Sequence, residues 1–343
     1  MKRITKKMTT RSLVWLLSSM LSFSSFSQDI HFSQFFEAPL LRNPSLAGIF
    51  TGDVRAQMVY RDQWNSVTNA YRTGSLNGEY KMPIGKADDF ITMGLQMLYD
   101  RAGSIGWTST HILPALNYHK SLSSERNRYL SLGFMGGVVQ RSFDVSKMTT
   151  NSQYDGGGLG ENLPDASYTY LDGAVGMSYN SNLNDNPNNN YFIGAAYHHF
   201  NRPNNSFYRD PAVELHPKWV FSGGLRFGVG DYAYVTIQGD HSRQGGYSET
   251  IAGGMYGLKI GGDPAKPDYV VHVGAFLRWN DAIVPVIKFD YDPFSFALSY
   301  DVNISTLKTS SQGRGGVELS VSYIGFISRL SKSTQNSVLC PRF

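Results

Sequence analysis

Cysteine is almost missing from the 343 residues: the only one is Cys340, close to the end. A single thiol excludes an internal disulfide framework and any zinc cluster built from cysteines. Charge is scarce too, at 17% of residues, against ~25% in ordinary soluble proteins. The formal net charge of +4 comes from a leader, because Lys2, Arg3, Lys6, Lys7 and Arg11 have no acidic residue beside them. Beyond that stretch acidic residues outnumber basic ones by one, so nothing argues for nucleic acid as a partner. After residue 30 there is also no apolar run of ~18 residues, which excludes helical membrane spans.

What the chain does have is 35 glycines, 21 tyrosines, a 13% aromatic share and a basic N-terminus. The basic stretch leads into an apolar run, Leu13 to Leu21, and then Ser25-Phe26-Ser27, with small residues at the positions a signal peptidase reads. Cleavage is expected near Ser27 and Gln28, so residues 1–27 read as a signal peptide. The run is too short for a membrane anchor, and no cysteine lies near the cut to make a lipoprotein.

The recurring pattern in the remainder has period two. Ile91, Met93, Leu95, Met97 and Tyr99 alternate with Thr92, Gly94, Gln96 and Leu98. Phe294, Phe296, Leu298, Tyr300 and Val302 alternate with Ser295, Ala297, Ser299 and Asp301, and Val317, Leu319, Val321 and Tyr323 with Glu318, Ser320 and Ser322. Each reads as a strand with one oily and one small or polar face. Fourteen strands are expected, at 54–61, 72–82, 90–100, 107–119, 129–141, 168–179, 191–200, 218–228, 231–241, 249–260, 269–279, 283–291, 294–302 and 316–326. Most approach the ~9 to 11 residues of a tilted membrane strand rather than the ~5 to 6 of a soluble one. Polar Lys218, Ser222 and Arg226 opposite Trp219, Phe221, Leu225 and Phe227 fit a wet lumen and a lipid-facing exterior.

Connection lengths agree. In an outer-membrane barrel the turns at one end are short and the loops at the other long. The fifth, seventh and thirteenth connections are long, all of odd rank. The sixth, with its Asn-rich tract Asn182 to Asn190, and the short eleventh are the exceptions. The predicted fold is therefore all-β: a transmembrane antiparallel β-barrel of about fourteen strands over residues 54–326. Residues 28–53 form an N-terminal plug or docking segment, and residues 327–343 a periplasmic tail.

The segment QDIHFSQFFEAPLLRNPSLAG from Gln28 to Gly48, YRDQW at Tyr60 to Trp64, GGMYGLKIGG at Gly253 to Gly262, VGAFLRW at Val273 to Trp279 and the terminal CPRF resemble the PorP/SprF family of Bacteroidota outer-membrane proteins. That resemblance implies a non-enzymatic barrel in the outer membrane, associated with type IX secretion and gliding motility, that supports export or surface attachment of large adhesins and other cargo. The implied partners are outer-membrane lipid, cargo with type IX C-terminal signal domains, and periplasmic lipoproteins of the secretion and gliding apparatus. A second reading is a passive porin or a transporter like the fatty-acid channels. Inward positions carry scattered charges without a cluster of one sign, so neither an anion-selective ring nor an oily tunnel is expected.

Three stretches stand out as candidate contacts. Tyr60, Arg61, Asp62 and Trp64 suit the rim, where Trp anchors at the interface and Arg61 and Asp62 can pair in the loop or inner wall; they are also candidates for cargo contact. Phe32, Phe35, Phe36, Leu40, Leu41 and Leu46 are too dense for a solvated tail, and Pro39 and Pro44 break any long helix. A plug or docking role is open for Phe32, Phe35, Phe36, Asn43 and Pro44. In the tail, Cys340, Pro341, Arg342 and Phe343 are candidates for docking to a periplasmic partner or for barrel assembly. Cys340 itself reads as a small apolar or turn residue, with an intermolecular disulfide as the alternative.

Catalytic constellations are not evident. His111 and His119 share a strand face but stand ~26 Å apart, too far to share a metal, and His198 and His199 are expected on opposite faces. No His-Glu-x-x-His, nucleophile elbow or P-loop occurs. No cofactor, metal or catalytic residue is expected.

Overall fold

The computed structural model describes residues 29–63, 71–85, 88–123, 127–160, 165–184, 189–306, 308 and 313–327. Five strands come first: β1 (Val54–Gln63), β2 (Tyr71–Pro83), β3 (Phe90–Ala102), β4 (Trp107–Ser123) and β5 (Arg128–Ser142). After a long connection follow β6 (Ser167–Asn182), β7 (Asn190–His198), β8 (Lys218–Gly228), β9 (Ala233–Gln244) and β10 (Tyr247–Ile260). The sheet ends with β11 (Tyr269–Arg278), β12 (Ala282–Tyr291), β13 (Phe294–Asn303) and β14 (Arg314–Gly325). Every strand pairs antiparallel with its chain neighbours, and β1 pairs with β14, Val54 opposite Gly325 and Asp62 opposite Val317. The sheet thus closes into a barrel without a free edge.

All fourteen expected strands are present. Several run further than the apolar alternation marks, β4 for 17 residues, because strand ends leave the apolar band and enter the polar rim, where hydrophobic spacing stops reporting. The Asn-rich sixth connection shrinks for this reason: β6 runs to Asn182 and β7 starts at Asn190.

Which face lies outside is settled by exposure. Met93, Phe296 and Leu319 are 52%, 47% and 50% exposed, whereas their strand neighbours Thr92 and Glu318 are fully buried. A continuous apolar exterior around a closed ring belongs in lipid, so the protein is an outer-membrane β-barrel. Tyrosine and tryptophan stand exposed at both borders of this band: Tyr80, Tyr118, Tyr291 and Tyr323 towards one end, Tyr60, Tyr99, Trp219 and Trp279 towards the other. No described helix is long and apolar enough to cross a membrane; the crossing is made by strands.

The long fifth, seventh and thirteenth connections gather at one end, although the third, ninth and eleventh, also at that end, are tight. The fifth and seventh are folded onto each other. Phe207 packs edge-on against Trp107, Phe143 and Tyr168, with ring centroids 4.9, 4.8 and 4.6 Å away. Below it, Asn205 accepts hydrogen bonds from Arg141 Nη1 (2.7 Å) and the Tyr168 hydroxyl (2.6 Å).

Candidate functional site

Residues 29–53 do not hang outside the barrel. They form a strap that descends the lumen from the long-loop end, where Asp29 meets His199, to the short-turn end, where Asp53 N donates to Gly325 O. Its prolines restrict it to single turns: a 3-10 turn at Phe35–Glu37, one turn of α-helix at Pro39–Arg42 and a 3-10 turn at Pro44–Leu46. Phe32, Phe35, Phe36, Asn43 and Pro44 are all buried.

The wall is shaped to receive it. Phe35 and Phe36 pack with Ile251, Met255, Phe276, Ala282, Val284 and Val286, while Phe32 and Ala38 pack with Val59 and Leu98. These inward apolar patches depart from the expected lining of small residues and scattered charges; they occur where the strap needs a hydrophobic counterface. Elsewhere the wall gives way. A Cβ on Gly133 would sit 2.5 Å from the backbone carbon of Pro44 and the nitrogen of Ser45, so glycine there lets the Pro44 turn lie directly against β5.

A lumen segment without strand or long helix leaves its own amides and carbonyls unpaired, and buried polar groups without partners are costly. Wall side chains take that role. Glu318 accepts from the backbone of Ser33 and Gln34, both at 2.7 Å. Arg61 donates to His31 O (2.8 Å), Asn117 to Ser45 O and Ala47 O (2.7 and 2.8 Å), His198 Nε2 to Arg42 O (3.0 Å), and Gly48 N donates to Glu79 (2.7 Å). Strap side chains are held similarly: Arg42 by Asp240 at 2.5 and 2.6 Å, and Glu37 by Lys288 (2.6 Å) and Gln57 (3.0 Å).

The wall charges are in turn paired with one another. Asp301 bridges Arg61 (3.0 Å) and Arg278 (2.8 Å), and Arg61 Nε lies 3.3 Å from Glu318. Arg278 also reaches Ser33 Oγ at 2.8 Å. Arg55 grips Glu79 with Nε and Nη2 at 2.9 and 2.7 Å. Breaking one partner of such a buried pair typically costs ~3–5 kcal/mol, because the other charge is left without compensation.

At the strap's upper end His199 is clamped between two carboxylates, Nε2 to Asp29 at 2.7 Å and Nδ1 to Asp172 at 2.8 Å. Burial disfavours its charge, but the Asp29 carboxylate and the hydrogen bonds that the imidazolium donates to both acids prevail and push its pKa up to about 9. Burial likewise opposes ionisation of Asp29, and His199 and Lys218 overcome it to hold Asp29 well below the usual carboxylate range. The expected opposite orientation of His198 and His199 does not hold. His199 leaves β7 with φ +55°, and the alternation ends there, so both imidazoles turn inward. Among the described residues no group of three or more His, Cys, Asp or Glu is placed to hold a metal ion.

Arg61 faces the lumen and is committed to the strap, Tyr60 faces outward at the rim, and Asp62 lies 3.5 Å from Arg72 rather than paired with Arg61. Consecutive strand residues point to opposite faces, so the two charges cannot meet on one wall. Trp64, the leader 1–27, and Cys340, Pro341, Arg342 and Phe343 lie outside the described residues. Glu318, Asp301, Arg278, Glu79, Asp172 and His199 were not singled out from sequence. For Glu318 the signal was a lone charge on an otherwise small inward face, between Val317 and Leu319 and two positions from Ser320.

The sequence model of the family described as "Type IX secretion system membrane protein PorP/SprF" matches residues 24–323. No curated protein matches the chain. Similar solved structures include the P. putida toluene transporter TodX, at 11% identity and a TM-score of 0.48, covering 85% of this chain and 95% of that one. The Ralstonia pickettii toluene transporter TbuX is similar at 8% identity and a TM-score of 0.48, covering 85% and 94%.

Proposed function

The chain belongs to the PorP/SprF family of type IX secretion system membrane proteins, and from that membership we propose that it is a non-enzymatic scaffold of the system whose long-loop mouth receives exported cargo. The observation that carries this reading is the filled lumen. A passive porin needs a continuous wet path with charges free to act on solutes. Here Arg61, Arg278, Asp301, Glu318 and Lys288 are spent on one another and on the strap. Recognition is then left to the two ends.

Outer-membrane barrels carry their longer loops at the cell surface, so we assign the mouth formed by the fifth and seventh connections to the outside. Cargo with type IX C-terminal signal domains docks there, where Asp62, near the end of β1, and Trp64 after it add to the contact surface. The short turns and the tail 327–343 face the periplasm and meet lipoproteins of the secretion and gliding apparatus, with Cys340 to Phe343 as the terminal contact. Residues 1–27 act as a cleaved leader, residues 28–53 as the plug and 54–326 as the barrel.

The test is retention of a cargo signal domain on purified, detergent-solubilised protein. Retention that disappears when the fifth or seventh connection is shortened supports the scaffold. Large single-channel currents, together with normal surface display of adhesins in a deletion strain, would overturn it in favour of the transporter.

A further inference from the structure

Beneath the aromatic roof at the long-loop end the strap leaves a cavity of about 320 Å³ between its own residues and the inner wall of β2 to β8. That is the lower end of the ~300–1,000 Å³ range of small-ligand pockets. Its lining divides into two parts. One is apolar: Ile30 and Leu41 from the strap, and Leu98, Leu113 and Met135 from the wall, with Trp107 above. The other is charged, and its charges are unequally occupied.

The acids are engaged. Asp29 and Asp172 share the His199 imidazolium, and Asp100 accepts the Thr73 hydroxyl at 2.7 Å. The cations keep spare capacity. Lys218 has as its nearest acid Asp29, at 3.7 Å, whose carboxylate is already taken by His199 at 2.7 Å. Arg141 spends Nη1 on Asn205, while its Nε is buried without a partner among the described residues. Beside it the buried Tyr170 hydroxyl also lacks one, with the Arg141 guanidinium 5.8 Å from its ring. A buried donor without an acceptor is uncommon in a finished structure.

We propose that this cavity binds a small amphipathic monocarboxylate, with its carboxylate on Arg141 and its apolar body towards Leu98 and Leu113. An anion satisfies the unused donors, and a cation would compete with His199 for acids already engaged. The site is independent of the cargo role: it lies within the mouth whether or not cargo docks above it.

Calorimetric titration of the full chain in a non-ionic maltoside detergent tests this, with 4-phenylbutyrate and the isosteric neutral 4-phenylbutanamide as probes. Saturable binding of the acid, at least tenfold tighter than the amide, is expected. Arg141→Met should bring the acid down to the level of the amide, and Leu113→Trp, which fills the floor, should remove both. Equal binding of acid and amide by the unaltered protein, no saturable binding of either, or binding that survives Leu113→Trp overturns the proposal. The comparison of the two probes needs no variant, and heat-modifiable mobility on SDS gels verifies that each variant is folded.

Discussion

The Glu318 carboxylate on β14 lies 2.7 Å from the backbone nitrogen of Ser33, 285 residues earlier in the chain. Its second oxygen takes Gln34 N, and Arg61 closes in from β1. Hydrogen bonds to a charged group contribute ~1.5–3 kcal/mol each, so this one side chain fixes the strap's middle. Glu318→Gln keeps the size and removes the charge. The expected result is a barrel that still inserts but unfolds at lower temperature and is cut by protease within residues 29–50; unchanged resistance would show that the strap is held mainly by its phenylalanines.

Gly133→Val places atoms where Pro44 and Ser45 now touch the wall. Strand propensity favours valine, so β5 should persist while the Pro44 turn is driven off. Planar-bilayer recordings should show frequent open events in the variant and few in the unaltered protein. A variant as silent as its parent would mean that the rest of the strap blocks the lumen alone.

The upper clamp is sensitive to alkali. The His199 pKa is raised to about 9 from an ordinary 6.5, so its stabilising charge is fully present below about pH 6.5 and is lost as pH rises through about 9. Asp29, held low, acts in the opposite sense: its contribution is present above the usual carboxylate range and is lost only in strong acid. Asp29, Asp172, His111, His198 and Lys218 are charged or titratable groups around the imidazole. Hydrogen exchange at Ile30 and His31, corrected for intrinsic rate, should quicken between about pH 8 and 10, and in His199→Gln it should be fast throughout without that step. Absence of a step in the unaltered protein contradicts the clamp.

Leu298, near the middle of β13, is 48% exposed on the outer face. Arginine there should cost ~2–4 kcal/mol of folding into bilayers, as expected at the midplane of a membrane barrel. Urea titration in lipid vesicles measures the loss. A cost near zero would mean that this face meets water.

The strands and their outward face were legible because both are local: alternation across ten residues states which side is oily, whatever the partner strand. The strap's density of Phe32, Phe35 and Phe36 was legible as well, as aromatics in need of cover. Its seats were not. Arg61 and Asp301 meet across the barrel closure, 240 residues apart in the chain, and no spacing rule connects two lone charges on different strands. His199 escaped for a different reason, since alternation assigns it a side only while the strand continues, and one residue of left-handed backbone reverses the answer. Ile251, Met255 and Phe276 face inward because they answer the strap, a complementarity visible only once both surfaces are placed.

The strap touches both sides of the junction where first and last strands join: β1 through Arg61 and Gln57, β14 through Glu318. Were that junction to zip up with residues 29–53 still outside, Arg61, Asp301 and Glu318 would be sealed into the interior without the backbone groups they now serve, and nothing could thread past them afterwards. Biogenesis must therefore capture the N-terminal segment as the ring is completed, so that sealing the cylinder and loading its contents are a single step.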